Sequence, residues 1–153
     1  MRIEDRFTVA APRETVWTAI KDPAVVAPCV PGCLGVEVIS PTLYKARIRV
    51  QVGPIKAEFS VDVEVLSETP PEEVQSRTRG EEGGRASSLT ADSVLRLTAV
   101  GDAETEVFYA SDISVLGRLG KFGLGVMKKK AESLGREFAV AFRERVEPQA
   151  GTV

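Results

Sequence analysis

Between Tyr44 and Val65 the sequence reads as two strands and a turn. Tyr44, Ala46, Ile48, Val50 and Val52 alternate with Lys45, Arg47, Arg49 and Gln51. After Gly53-Pro54, Ile55, Ala57, Phe59, Val61, Val63 and Val65 alternate with Lys56, Glu58, Ser60, Asp62 and Glu64. A period of two is the pattern of antiparallel strands with one dry face, and the Gly-Pro pair marks the hairpin turn. A dry sheet face has to be covered. The cover is expected at the end of the chain, where Leu124, Met127, Ala131, Leu134, Phe138, Ala141 and Phe142 recur at steps of three or four and make one helical stripe. A helix laid over the concave face of a sheet makes a container, which favours ligand binding over chemistry.

The other segments fit around that core. Arg2 to Ala10 reads as a first strand with Ile3, Phe7 and Val9 as its apolar residues. Pro12 opens a helix carrying Val16, Trp17 and Ile20, which should end near Lys21-Asp22 because Pro23 disfavours helix in the residue before it. A second helical turn is expected over Pro23 to Ala27, and Pro28, Pro31 and Gly32 then impose an irregular segment. Pro70-Pro71 ends the second alternating strand, and Val74 to Thr78 can form another. Gly80 to Gly84 reads as an exposed turn, and Ser87 to Thr98 and Thr105 to Val115 read as the last strands, joined around Gly101-Asp102. Gly117, Gly120, Gly123 and Gly125 favour a helix that starts late, near Gly123; close backbone approach to the sheet or a flexible lid is the alternative. With 153 residues and 43% hydrophobic content, one domain over residues 1–147 is expected, with a disordered tail over 148–153.

Composition narrows the chemistry. There is no histidine, so the commonest general base and the Ser-His and Cys-His pairs are absent. Cys29 and Cys33 are too few for a disulfide framework and, without histidine, could bind zinc only with carboxylates; they read as small thiols flanking a tight turn, and no metal or cofactor is expected. No window approaches about 18 consecutive apolar residues and the N-terminus lacks the apolar core of a signal peptide, so a cytoplasmic location is expected, with peripheral contact at the inner face of the membrane as a further option. The chain holds 20 basic and 22 acidic residues, yet the stretch from Arg118 to Glu147 holds eight basic and four acidic ones. The last helix is the basic element of an acidic protein. Lys121, Lys128, Arg136 and Arg143 fall at steps of seven or eight along one edge, reinforced by Lys129 and Lys130. Such an edge is usually solvated surface; the sharper reading is docking to an anionic surface. Nucleic acid is not expected, because aromatics do not interleave with the basic residues.

Several local words occur in a telling order. Phe7-Thr8-Val9-Ala10-Ala11-Pro12, Val16-Trp17, Asp22-Pro23, Val30-Pro31-Gly32-Cys33, Val52-Gly53-Pro54-Ile55-Lys56-Ala57 and Gly117-Arg118-Leu119-Gly120-Lys121-Phe122-Gly123 together resemble the G-subunit family of carbon monoxide dehydrogenase, within the START and Bet v 1-like (SRPBCC) superfamily. The resemblance runs from Arg2 to about Phe142. It implies an α+β helix-grip fold: a curved antiparallel sheet wrapped around a long C-terminal helix, with two short helices after the first strand. It also implies an accessory protein of a molybdenum hydroxylase complex, assisting its assembly or membrane recruitment, and a cavity for a lipid-like or quinone-like molecule.

The expected cavity wall is Trp17, Tyr44, Ile48, Val50, Phe59, Val61, Tyr109, Leu124, Met127 and Phe138, although a single Trp on a helix is more often core. The expected partner or membrane surface is Lys121, Lys128, Lys129, Lys130 and Arg136. No catalytic residue is expected. A helix-grip enzyme of cyclase or hydrolase type and a ligand-free structural adaptor remain alternatives; carboxylates on the inward rows would favour the enzyme, and a filled interior the adaptor.

Overall fold

The computed structural model describes the backbone of residues 1–151 and the side-chain surroundings of residues 1–147. Seven strands form one antiparallel sheet: β1 (Arg2–Val9), β2 (Cys33–Ser40), β3 (Leu43–Val52), β4 (Ile55–Thr69), β5 (Glu73–Glu82), β6 (Ser87–Gly101) and β7 (Glu104–Gly117), in the spatial order β1-β7-β6-β5-β4-β3-β2. Two short helices, α1 (Arg13–Ile20) and α2 (Pro23–Val26), follow β1, and α3 (Leu124–Gly151) closes the described chain. This is the expected helix-grip arrangement.

The topology explains why the concave face is partly roofed before α3 arrives. Strands β1 and β2 lie at opposite edges of the sheet, so the segment joining them must cross from one edge to the other. That segment is α1, α2 and a 3-10 turn over Ala27–Cys29. Pro23 forces Asp22 out of helical geometry (φ -99°, ψ 109°), and the Asp22 carboxylate then accepts the Ala24 N–H at 3.0 Å, starting α2. The crossing is pinned to the sheet at Gly32, where the Arg49 N–H donates to the Gly32 carbonyl at 2.8 Å. Gly32 has φ +77°, and a Cβ there would lie 2.1 Å from the Arg49 carbonyl oxygen, so only glycine fits.

Buried side chains gather in two clusters. One joins Phe7, Val9, Val16, Cys29, Leu97, Val107, Ala139, Phe142 and Val146, with Trp17 packed against it. The other joins Val52, Ala57, Phe59, Val61, Leu119 and Met127 at the β3–β4 hairpin and the start of α3. Helix α3 is fastened at both ends. Near its C-terminal end the Glu147 carboxylate accepts the Ala10 N–H at 3.0 Å. Ahead of its first turn Arg118 Nε donates to both Glu82 carboxylate oxygens at 2.6 and 2.8 Å, and Ser87 Oγ accepts the Leu119 N–H at 3.1 Å.

The structure departs from the sequence reading in several places. Strand β2 carries no periodic signal: its register shifts near Gly35 and Ile39, and its apolar side chains Leu34, Val36, Val38 and Ile39 are exposed at an edge, so no clean alternation marks it. Gly80 to Glu82 belong to β5, with Glu82 only 5% exposed against Arg118; the turn is confined to Gly83–Arg85. Helix α3 starts at Leu124, after Gly123 at φ +86°, as the late-start reading expects. The tail over 148–153 falls where only backbone as far as Gly151 is described; Thr152 and Val153 lie outside the described residues.

Candidate functional site

The two clusters leave an apolar space between them. An inner chamber of about 500 Å³ lies between α3 and the sheet, lined by Phe7, Ile48, Val50, Phe59, Val61, Leu89, Leu95, Val107, Leu134 and Phe138, with Ser93, Ser111 and Tyr109 as its polar side chains. An outer chamber of about 330 Å³ lies under the crossing segment, lined by Ile20, Pro23, Val26, Ala27 and Val30 on one side and by Val36, Tyr44, Ala46, Val63, Val65, Val74 and Leu95 on the other. Val30, Ile48, Val61, Ser93, Leu95 and Tyr109 line both chambers and so form their junction. Either volume lies in the range of small-molecule sites.

The alternation of β3, β4 and β7 aims these side chains inward, and the register lines them up: Ile48 faces Phe59, Ala46 faces Val61 and Tyr44 faces Val63 across β3 and β4. On the helix side, Phe138 stacks on Phe142 with centroids 5.5 Å apart, and Phe142 meets the edge of Phe7 at 6.4 Å. These contacts hold Phe138 at the chamber wall.

Tyr109 reaches from β7 to the helix. A Cβ at Gly135 would stand 2.2 Å from its hydroxyl oxygen, so the glycine is a notch in α3 that receives the phenol. No hydrogen bond to this hydroxyl is found among the described residues. Burial pushes the phenol above its ordinary value, reinforced by Asp5 and Glu132 and opposed by Arg136, so it stays neutral. Ser93 and Ser111, paired across β6 and β7, share a hydrogen bond at 2.7 Å. Tyr44 donates to the Pro41 carbonyl at 3.3 Å. Lys21 lines the outer chamber and is paired with Glu68. The Cys29 thiol is buried, donates to the Val25 carbonyl at 3.3 Å and is pushed up by burial; Cys33 lines the outer chamber. Among the described residues no cluster of three metal-binding side chains occurs.

Of the ten expected wall residues, Tyr44, Ile48, Val50, Phe59, Val61, Tyr109 and Phe138 line one chamber or both. Three do not. Leu124, the first residue of α3, is 72% exposed. Met127 fills the cluster around Phe59 and Leu119, and Trp17 packs on the cluster around Phe142. The basic edge is also shorter than the spacing suggests. Lys121 sits in a 3-10 turn before α3, and the Arg143 guanidinium is half-buried, 5.8 Å from the Phe7 ring. Lys121, Lys128, Lys129 and Arg136 are exposed and Lys130 is half-buried.

Sequence reasoning missed the crossing segment as a wall. Proline and alanine carry no periodic signal, so Pro23 to Ala27 read as a helical turn and Val30 as part of an irregular segment, with nothing to mark either as lining. It also missed Val63 and Val65, although their phase in the alternating run is the signal that finds them.

Three comparisons bear on this geometry. A conserved protein from Geobacillus kaustophilus superposes with a TM-score of 0.90 at 23% identity, covering 97% of each chain. A START superfamily protein from Mycobacterium smegmatis gives a TM-score of 0.77 at 15% identity over 97% of this chain and 98% of that one. The Zhui aromatase/cyclase from Streptomyces gives 0.62 at 18% identity over 98% and 93%. At these identities the likeness establishes the START-like fold and nothing finer. No curated protein matches the sequence. The profile of the carbon monoxide dehydrogenase G-subunit family, CoxG, matches residues 6–147, and the chain belongs to that family.

Proposed function

We propose that this chain is a non-enzymatic accessory protein of a carbon monoxide dehydrogenase-type molybdenum hydroxylase. It binds an apolar lipid-like or quinone-like molecule in the two-chambered cavity and assists assembly or membrane recruitment of the enzyme. Family membership supports the association with carbon monoxide dehydrogenase. The observation that carries ligand binding is the space itself: chambers of about 500 and 330 Å³ whose walls are almost wholly apolar, between two filled clusters. A structural adaptor gains nothing from leaving such a space, because unfilled volume forfeits packing.

The non-enzymatic reading rests on the lining. Lys21 is the one ionisable group other than Cys33 and the two tyrosines among the lining residues of both chambers, and it is paired. Among the described residues no carboxylate or histidine lines either chamber to serve a buried substrate as general acid or base. The exposed Lys121, Lys128, Lys129 and Arg136 supply a basic face for the enzyme or for an anionic leaflet, where each charge contributes about 1 kcal/mol. No helix among the described residues is long and apolar enough to cross a membrane, so recruitment would act through such surface contacts.

Affinity capture with the folded chain tests the partner. Recovery of a molybdenum hydroxylase that is lost when Lys128, Lys129 and Arg136 are changed to Ala supports the reading. Failure to recover one, under conditions that preserve the complex, overturns it.

A further inference from the structure

The polar groups of the cavity are few: Lys21, Cys33, Tyr44 and Ser76 line the outer chamber, Ser111 the inner one, and Ser93 and Tyr109 both. Ser76 faces Ser93 across β5 and β6, and Ser93 faces Ser111 across β6 and β7, so three serines form a row over the floor of the sheet. Ser93 and Ser111 are bonded to each other at 2.7 Å. Two hydroxyls that share one hydrogen bond still hold one uncommitted O–H and spare lone pairs between them. The Tyr109 hydroxyl, held against Gly135 on the helix side and without a hydrogen bond among the described residues, adds a second free donor that faces the inner chamber. Ser93 and Tyr109 both stand at the junction of the chambers, and the other junction residues, Val30, Ile48, Val61 and Leu95, are apolar. Away from this point the inner chamber offers a ligand little but hydrocarbon and aromatic rings.

Charge is sparse in the lining itself, although Asp5, Glu132 and Arg136 act on Tyr109 from outside it. Among the described residues no aspartate, glutamate or arginine lines either chamber, and Lys21 is held by Glu68 on the outer side. A carboxylate or phosphate drawn into the cavity would lie unpaired in apolar surroundings, which is strongly unfavourable. A neutral carbonyl or hydroxyl at the junction would instead find a donor.

We infer that the cavity selects an uncharged ligand whose hydrogen-bonding group lies part-way along an apolar body, seated on Tyr109 and Ser93 with apolar arms in both chambers. This rests on the ligand-binding reading above and sharpens it. The polar group fixes the ligand's position along the cavity, while the arms supply the affinity. An ionised fatty acid, whose only polar group is terminal and charged, has nothing to place at the junction and should bind less tightly.

The test uses three probes of equal carbon number: a linear hydrocarbon, a symmetrical ketone with its carbonyl at mid-chain, and a fatty acid. Each competes with a fluorophore that brightens in apolar surroundings. The ketone should bind at least about tenfold more tightly than the ionised fatty acid. Tyr109→Phe and, separately, Ser93→Ala should each weaken the ketone about three- to tenfold and leave the hydrocarbon unchanged. Either substitution is small enough to keep the fold, and the unchanged hydrocarbon affinity reports it. A fatty acid that binds as well as the ketone, or variants that weaken ketone and hydrocarbon alike, would overturn the inference and leave the apolar cavity standing. Failure of every probe to bind the folded protein would overturn the ligand-binding reading itself.

Discussion

Replacing Gly135 by alanine sets two effects against each other. Glycine inside a helix is less favourable than alanine by about 1 kcal/mol, so intrinsic propensity alone makes Gly135→Ala stabilising. The geometry says otherwise, since the new Cβ would stand 2.2 Å from the Tyr109 hydroxyl oxygen and 3.3 Å from the ring carbon bearing it. The first distance is far inside contact, and the second needs only a small adjustment. The phenol must therefore swing into the chamber or push α3 away from the sheet, and overpacking of this kind costs about 1 to 3 kcal/mol. The net expectation is a variant that is neutral to about 2 kcal/mol less stable. The Tyr109→Phe background removes the clashing oxygen, so there Gly135→Ala should recover its propensity gain and become stabilising. Urea denaturation of the four proteins in the cycle measures this as a coupling of roughly 1 to 3 kcal/mol. A Gly135→Ala protein that gains the full propensity term of about 1 kcal/mol with Tyr109 in place would refute the notch.

Other expectations follow from the fastenings. Arg118 holds the Glu82 carboxyl below the ordinary carboxylate range through its hydrogen bonds, against the opposing effect of burial. A depressed folded-state value contributes stability that is fully present above the unfolded carboxylate range and is lost as pH falls from that range through the depressed folded value, so the protein should weaken progressively below about pH 4. Arg118→Gln should be less stable at neutral pH, by an amount limited because the Arg118 side chain is 44% exposed, and should show a flatter acid limb in pH-dependent denaturation. Gly32→Ala should lose about 1 to 3 kcal/mol, read by thermal unfolding, because it imposes both a positive φ and a clash with the Arg49 carbonyl. Met127→Lys should destabilise the fold and not merely block uptake, since Met127 is 8% exposed within the hairpin cluster; an unchanged melting temperature would contradict its placement.

What the sequence discloses depends on whether a residue's role repeats. The β3 and β4 alternation is periodic and both strands are central, so Ile48, Val50, Phe59 and Val61 can be assigned to the wall from phase alone. The stripe on α3 locates Phe138 for the same reason. The stripe also assigns Leu124 and Met127 to the wall, because periodicity reports which side of a helix a residue occupies and not whether that side meets solvent, as at Leu124, or a filled cluster, as at Met127. Edge strand β2 lacks the pattern because it has register shifts and exposed apolar side chains on both faces. The Glu82–Arg118 contact joins residues 36 apart in sequence, and a glutamate between glycines reads as a turn until its partner is seen. The notch at Gly135 is of the same kind: a glycine in mid-helix announces a cost, and only the position of Tyr109 supplies its reason.

The central claim is that the space between the two clusters takes up an apolar molecule. Native mass spectrometry of the purified protein, with identification of whatever dissociates, tests it most directly. A stoichiometric neutral adduct, absent from an Ile48→Lys variant that keeps its secondary structure, is the expected result. A wild-type protein that carries no adduct and takes up none when incubated with a long-chain ketone would contradict the account.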